Sequence, residues 1–152
     1  MYAIDQELKE FLESGVALQV GTADLDDKPH GGSAWGPRVN DDGSMTVFLD
    51  TRRAARPLAN LAVNPKIAVI FAHPVAYRSV QLKGRWTSTR AATAEDTAWV
   101  ERHRELFATN VILVGESPES VRNTWMTDVI RIDFVVDSAF DQTPGPNAGQ
   151  PL

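Results

Sequence analysis

Between His30 and Pro65 the chain changes pattern in an order that constrains its fold more than any other stretch. Two β-patterned runs, His30 to Arg38 and Met45 to Asp50, flank an Asp41-Asp42-Gly43 turn. Thr51-Arg52-Arg53-Ala54-Ala55-Arg56 then leads into a helix-like segment ending at Asn64-Pro65. This order sets arginines and the unpaired N–H groups of a helix start beside the end of a hairpin. Orphan amides and the guanidinium fork both favour phosphate, so the junction suits an anion with several oxygens. Arginines that only solvate a surface connection would look the same, and the residues alone leave both readings open.

The flanking segments continue an antiparallel pattern. Ile4, Leu8, Phe11 and Leu12 recur at helical spacing and stop at Ser14-Gly15, giving an N-terminal helix within residues 1–14. Val16 to Ala23 reads as a strand and Asp24 to Pro29 as a polar turn. Further strands are expected at Ile67 to His73, Arg78 to Thr87 and Val129 to Val136, which makes six in all. In Arg78 to Thr87, Val80, Leu82 and Trp86 alternate with Ser79, Gln81, Lys83 and Arg85, so one face is core and the other polar or ligand-facing. Ile67 to Phe71 is apolar throughout, which predicts a central strand covered on both faces. Thr93 with Asp96 resembles a capping box ahead of an apolar stripe of Trp99, Val100, His103, Leu106 and Phe107. Ser117-Pro118-Glu119 starts another helix. The tail from Asp141 to Leu152 is rich in Pro and Gly, and its composition alone favours a frayed end.

Composition removes several classes of function. With 152 residues and 43% hydrophobic content, the chain reads as a single domain over 1–152. A net charge of -5 disfavours a nucleic-acid partner. There is no cysteine, which removes thiolate nucleophiles, iron–sulfur clusters and zinc–thiolate sites and fits a reducing cytosol. No run approaches the roughly 20 apolar residues of a membrane span, so a soluble, cytoplasmic protein without a membrane partner is expected.

Familiar catalytic signatures fail residue by residue. In Gly31-Gly32-Ser33-Ala34-Trp35-Gly36, Trp35 stands where a nucleophile elbow needs glycine, and Pro37 stands where a phosphate loop needs lysine. There is no G-x-G-x-x-G. His30, His73 and His103 lack zinc-ligand spacing, so no metal site is expected, and His103 on its apolar stripe reads as a packed structural residue. Asp41 and Asp42 read as turn residues.

Taken in order, His30-Gly31-Gly32-Ser33-Ala34-Trp35-Gly36, Asp41-Asp42-Gly43, Thr51-Arg52-Arg53, Arg56, Asn60-Leu61, Asn64-Pro65, Gln81-Leu82-Lys83-Gly84 and Gln142-Thr143-Pro144-Gly145-Pro146 resemble the pyridoxamine 5'-phosphate oxidase-related family of FMN-binding split barrels. The resemblance spans nearly the whole chain. It implies an all-β fold with peripheral helices: a six-stranded antiparallel split β-barrel of Greek-key type. It also implies a homodimer with a flavin at each of two sites between the subunits, and an ordered C-terminal arm over residues 138–152.

The resemblance further implies how FMN would be held. Its phosphate would sit at the helix start after Asp50 and Thr51, on Arg56 and Arg38, with Arg52 or Arg53 assisting. Ser33, Trp35, Phe48 and Leu49 would offer a slot for the ring, although ordinary barrel packing explains Trp35 and Phe48 equally well. Ser79 and Gln81 would reach the ring or ribityl chain from the second subunit, and Gln142 would come from the tail. The end of the chain lacks the Trp and Arg pattern that grips pyridoxal phosphate in the name-giving oxidase, which argues against vitamin B6 oxidation. The function implied is a flavin-dependent oxidoreductase acting on a small molecule. A deazaflavin (F420) or haem cofactor on the same scaffold, or a non-catalytic flavin-binding protein, are the alternatives. No catalytic side chain stands out, because a flavin carries its own chemistry.

Overall fold

A computed structural model describes residues 1–123, 125 and 128–152. Its elements run α1 (Gln6–Leu12), β1 (Ala17–Ala23), β2 (Pro29–Val39), β3 (Met45–Asp50), a single 3-10 turn at Thr51–Arg53, α2 (Ala55–Val63), β4 (Lys66–Ala72), β5 (Ser79–Ala91), α3 (Ala94–Leu113), α4 (Pro118–Asn123) and β6 (Val129–Asp141). The strands close into an antiparallel barrel in the order β1-β2-β3-β6-β5-β4. Hairpins supply three of the pairings, β1–β2, β2–β3 and β4–β5, and β5 pairs with β6 across the excursion that carries α3 and α4. The β1–β4 and β3–β6 seams close the cylinder.

Alternation decides which side chains fill the barrel. Leu18 and Val20, Val47 and Leu49, Ile67, Val69 and Phe71, Val80 and Leu82, and Ile132, Phe134 and Val136 all point inward. Leu8, Phe11 and Leu12 of α1 and Leu61 of α2 join the same cluster. Here β4 departs from its expected central position. Its buried residues alternate with exposed or half-exposed ones, and Ile70 is 37% exposed. Its run of apolar residues has Ala68 and Ala72 on the outer face, and a small side chain there gives the sequence an apolar look without a second covering layer.

Strands β5 and β6 outrun their expected limits. They pair from Val80 with Asp141 to Ala91 with Ile130, through bulges at Lys83/Gly84 and Trp86/Ser88. Each bulge shifts the inward–outward phase by one residue, which erases the period-two signal beyond Trp86. Gly84 permits the first bulge: a Cβ there would lie 1.9 Å from the Val135 carbonyl oxygen.

Helix α3 begins with the expected capping box, Thr93 and Asp96 each bonding the other's backbone. It lies outside the barrel over β2 and β3, enclosing a second cluster of Trp35, Phe48, Val100 and Val129 flanked by Trp99, Phe107 and Trp125. The tail folds back against β5 and β6. Residues 138–141 belong to β6, the Gln142 amide bonds the Ser79 carbonyl, and after a turn Leu152 N–H reaches Ala139 O. Among the described residues no helix is long and apolar enough to cross a membrane.

Candidate functional site

The end of β3 is anchored from two sides. Asp50 is 4% exposed; Trp35 Nε1–H donates to its Oδ2 at 3.3 Å, and Arg104 Nη2 meets its Oδ1 at 3.3 Å. One residue on, the Thr51 amide and hydroxyl both donate to the Asp128 carbonyl, at 3.1 and 3.2 Å. From this fixed backbone the chain makes one 3-10 turn and enters α2. Ala54 caps α2 without a side-chain hydrogen bond, Pro57 carries no N–H and the Leu58 amide bonds the Ala54 carbonyl, so the amides left at that helix start are those of Ala55 and Arg56. Arg52, Arg53 and Arg56 are exposed around this start, and none of them forms an ion pair among the described residues. These three guanidiniums concentrate positive charge beside that helix start in a protein of net charge -5.

Arg38 does not join them. It lies opposite Thr46 at the far end of β3, about 13 Å along the strand from Asp50. Its Nη2 pairs with Asp96 at 2.9 Å, and its guanidinium sits over Trp99. Arg131 bonds Asp96 at 3.1 Å and Asp133 at 2.8 Å, and Arg90 approaches Asp133 at 3.4 Å. Burial opposes the charge on Asp96, yet the Thr93 amide and the Arg131 and Arg38 guanidiniums outweigh it and hold the carboxyl below its usual range. Asp133 follows the same balance, with burial overcome by the Thr46 and Ser88 hydroxyls and Arg131. Arg38, Arg90 and Arg131 line a cleft of about 370 Å³ together with Asp41, Glu95 and Asp96, so its arginines are matched by acids.

The residues expected to form a ring slot divide between two interiors. Trp35 and Phe48 are covered by α3, with Trp35 edge-on to His103 and Phe107. Leu49 faces the barrel core. Trp35 also edges a cavity of about 100 Å³ with Ser33 and Gln19, so a single protomer does not gather Trp35, Phe48 and Leu49 into one slot. His103 is buried as expected for a structural residue. The Gly36 amide donates to its Nδ1, its Nε2–H reaches the Val16 carbonyl, and burial, reinforced by the Arg104 charge, lowers its pKa to about 4.

Ser33, Ser79 and Gln81 do share a surface. Ser33 pairs with Gln19, Gln19 with Ile70 and Ile70 with Gln81, one cross-strand row on the outside of β2, β1, β4 and β5. The row spans about 14 Å, three strand spacings. Ser79 lies one row away beside Ala72, and the Gln142 amide bonds its carbonyl. Around them the face carries small residues, Ala17, Gly21, Gly31 and Ala68. At its other end a mainly apolar cleft of about 600 Å³ opens between Gly21, Ala23, Ile67, Ala68 and Gly84. Gln19 was invisible as a site residue, because an exposed Gln on a strand carries no signal until register places it between Ser33 and Gln81. Arg104 was invisible because it is charged, yet it falls one helical turn after Val100 on the buried face of α3.

Comparison with known proteins matches this architecture. No curated protein matches the chain. Among solved structures, HupZ of Group A Streptococcus superposes with a TM-score of 0.57 at 20% identity, covering 96% of this chain and 99% of its own. An F420 reductase gives 0.55 at 16% identity, over 86% of this chain and 94% of its own. An FMN-binding protein from Syntrophomonas wolfei subsp. wolfei gives 0.52 at 12%, over 90% and 87%. At these identities the likeness shows the fold. The family model for pyridoxamine 5'-phosphate oxidase matches residues 4–135, most of the chain including both β-seams and the arginine-bearing junction, and on that match the chain belongs to the pyridoxamine 5'-phosphate oxidase family of split β-barrels.

Proposed function

We propose that this chain binds FMN between the subunits of a homodimer and serves as a flavin-dependent oxidoreductase for a small molecule. The observation that carries the reading is the set of exposed, unpaired Arg52, Arg53 and Arg56 around the uncapped start of α2, on a backbone fixed at Asp50 and Thr51. A phosphate monoester matches that donor set in charge and geometry. FMN, when bound, supplies hydride and electron transfer through its ring, and the protein's part is to hold and orient it. Since Trp35, Phe48 and Leu49 do not form one slot within a protomer, the ring rests on the small-residue face that carries Ser33, Ser79, Gln81 and Gln19, contributed by the second copy. A flat face of small side chains suits both a planar ring and the close approach of another subunit.

Titration of the purified protein with FMN, followed by flavin fluorescence, together with its mass in solution, tests the reading. Saturable uptake of about one FMN per chain by a dimer, and oxidation of NADH or NADPH by the loaded protein, are the expected results. A protein that ignores FMN, or that takes up F420 or haem in its place, would overturn the assignment. Bound FMN that no donor reduces would reduce it to a flavin carrier.

A further inference from the structure

Arg104 is 1% exposed on α3, a helix far in sequence from the arginine-bearing junction, yet it reaches the last residue of β3. Its Nη2 lies 3.3 Å from Asp50 Oδ1, its Nη1 3.0 Å from Glu101, and its guanidinium 4.9 Å from the centre of the Trp35 ring. The indole N–H of Trp35 completes the arrangement on the other oxygen of Asp50.

Burying such a pair costs several kcal/mol per ion in lost hydration, and well-packed apolar residues of similar size commonly match it in stability. What an ion pair adds is direction. It fixes the position of the Asp50 carboxylate relative to α3, and with it the backbone that continues through Thr51 into the arginine turn. Asp128 holds the next residue from the β6 side, and Ala54, 3% exposed, plugs into the core just before α2. Between these anchors the side chains of Arg52 and Arg53 have no ion-pair partner among the described residues, while their backbone is held at both ends.

We infer that Arg104 is a positioning residue for the anion site at the start of α2, acting through Asp50; the inference rests on the phosphate-binding reading above. The site gains affinity by preorganisation, since a backbone already in place costs less to order when a ligand binds.

The test compares FMN with riboflavin, which differ only in the phosphate. Wild-type protein is expected to bind FMN at least tenfold more tightly. In Arg104→Met the ratio should fall at least fivefold, with riboflavin affinity unchanged, and Arg104→Lys, which restores a charge opposite Asp50, should recover most of it. Should Arg104→Met fail to fold, the double variant Asp50→Leu, Arg104→Met removes both charges together and should show the same fall. Amide hydrogen exchange over residues 51–56 should quicken in these variants without ligand. A folded variant, single or double, with an unchanged ratio and unchanged exchange overturns the positioning role. Wild-type protein with no preference for FMN over riboflavin overturns instead the phosphate reading beneath it.

Discussion

The backbone amide of Gly36 donates to Nδ1 of His103 across 3.0 Å, while the opposite ring nitrogen reaches the Val16 carbonyl at 2.9 Å. Only the neutral imidazole satisfies both, because a proton on Nδ1 would face another N–H.

Stability should therefore fall on mild acidification. His103 has a pKa of about 4 in the folded chain, below the ordinary histidine value of 6.5, so the unfolded chain takes up the proton first. The contribution is whole above pH 6.5 and is lost as pH drops toward 4, about 3 kcal/mol in total by linkage. Urea unfolding at several pH values should show this slope, and His103→Gln should flatten it. Asp96 and Asp133 act lower down, since their depressed carboxyls withdraw stability only as pH falls below the ordinary aspartate value of 3.8.

Gly36 should resist replacement. Its φ is +56°, and a Cβ would stand 2.9 Å from Val100 and 3.0 Å from Phe48. Gly36→Ala is expected to cost about 1–3 kcal/mol from backbone strain and overpacking. Thermal melts would register this as a lower midpoint, and a midpoint equal to wild type would refute the packing account.

Arg56→Ala should weaken FMN binding by about 1.5–3 kcal/mol, the range for losing a hydrogen bond to a charged group. Riboflavin binding should be indifferent to the change. Arg38→Ala should leave FMN binding untouched, because its guanidinium is committed to Asp96. Fluorescence titrations of both variants separate the two arginines.

Removing Arg131 should strike the fold instead. Arg131→Met leaves Asp96 and Asp133 short of a shared partner, and a cost of about 1.5–3 kcal/mol is expected from losing part-buried hydrogen bonds between charged groups. Chemical denaturation supplies the number, and flavin affinity in the folded fraction should stay as in wild type.

Much of this fold was legible because alternation and capping are local. The strand of Val80 and Leu82, the capping box of Thr93 and Asp96, and the Pro118 helix start all announce themselves within a few residues. What local pattern could not give was the partner of each charge. Arg38 and Arg56 look equivalent along the chain, but Asp96, brought over by α3, neutralises the first and leaves the second open. Trp35 and Phe48 looked equally fit for a ligand or a core until α3 was seen to cover them. Leu106 belonged to the expected stripe but is 39% exposed, while Arg104, outside that stripe, is buried. The helix turned its face toward the ion pair with Asp50.

Barrel closure also governs how the chain must assemble. The β3–β6 seam is bridged by the Thr46 hydroxyl, 2.6 Å from Asp133 and separated from it by 87 residues. Such distant pairing must wait until a long loop has closed, so the ring forms late and slowly compared with its hairpins. Until it does, β3 and β6 carry naked borders able to capture strands from other molecules, and completion of the ring withdraws that hazard.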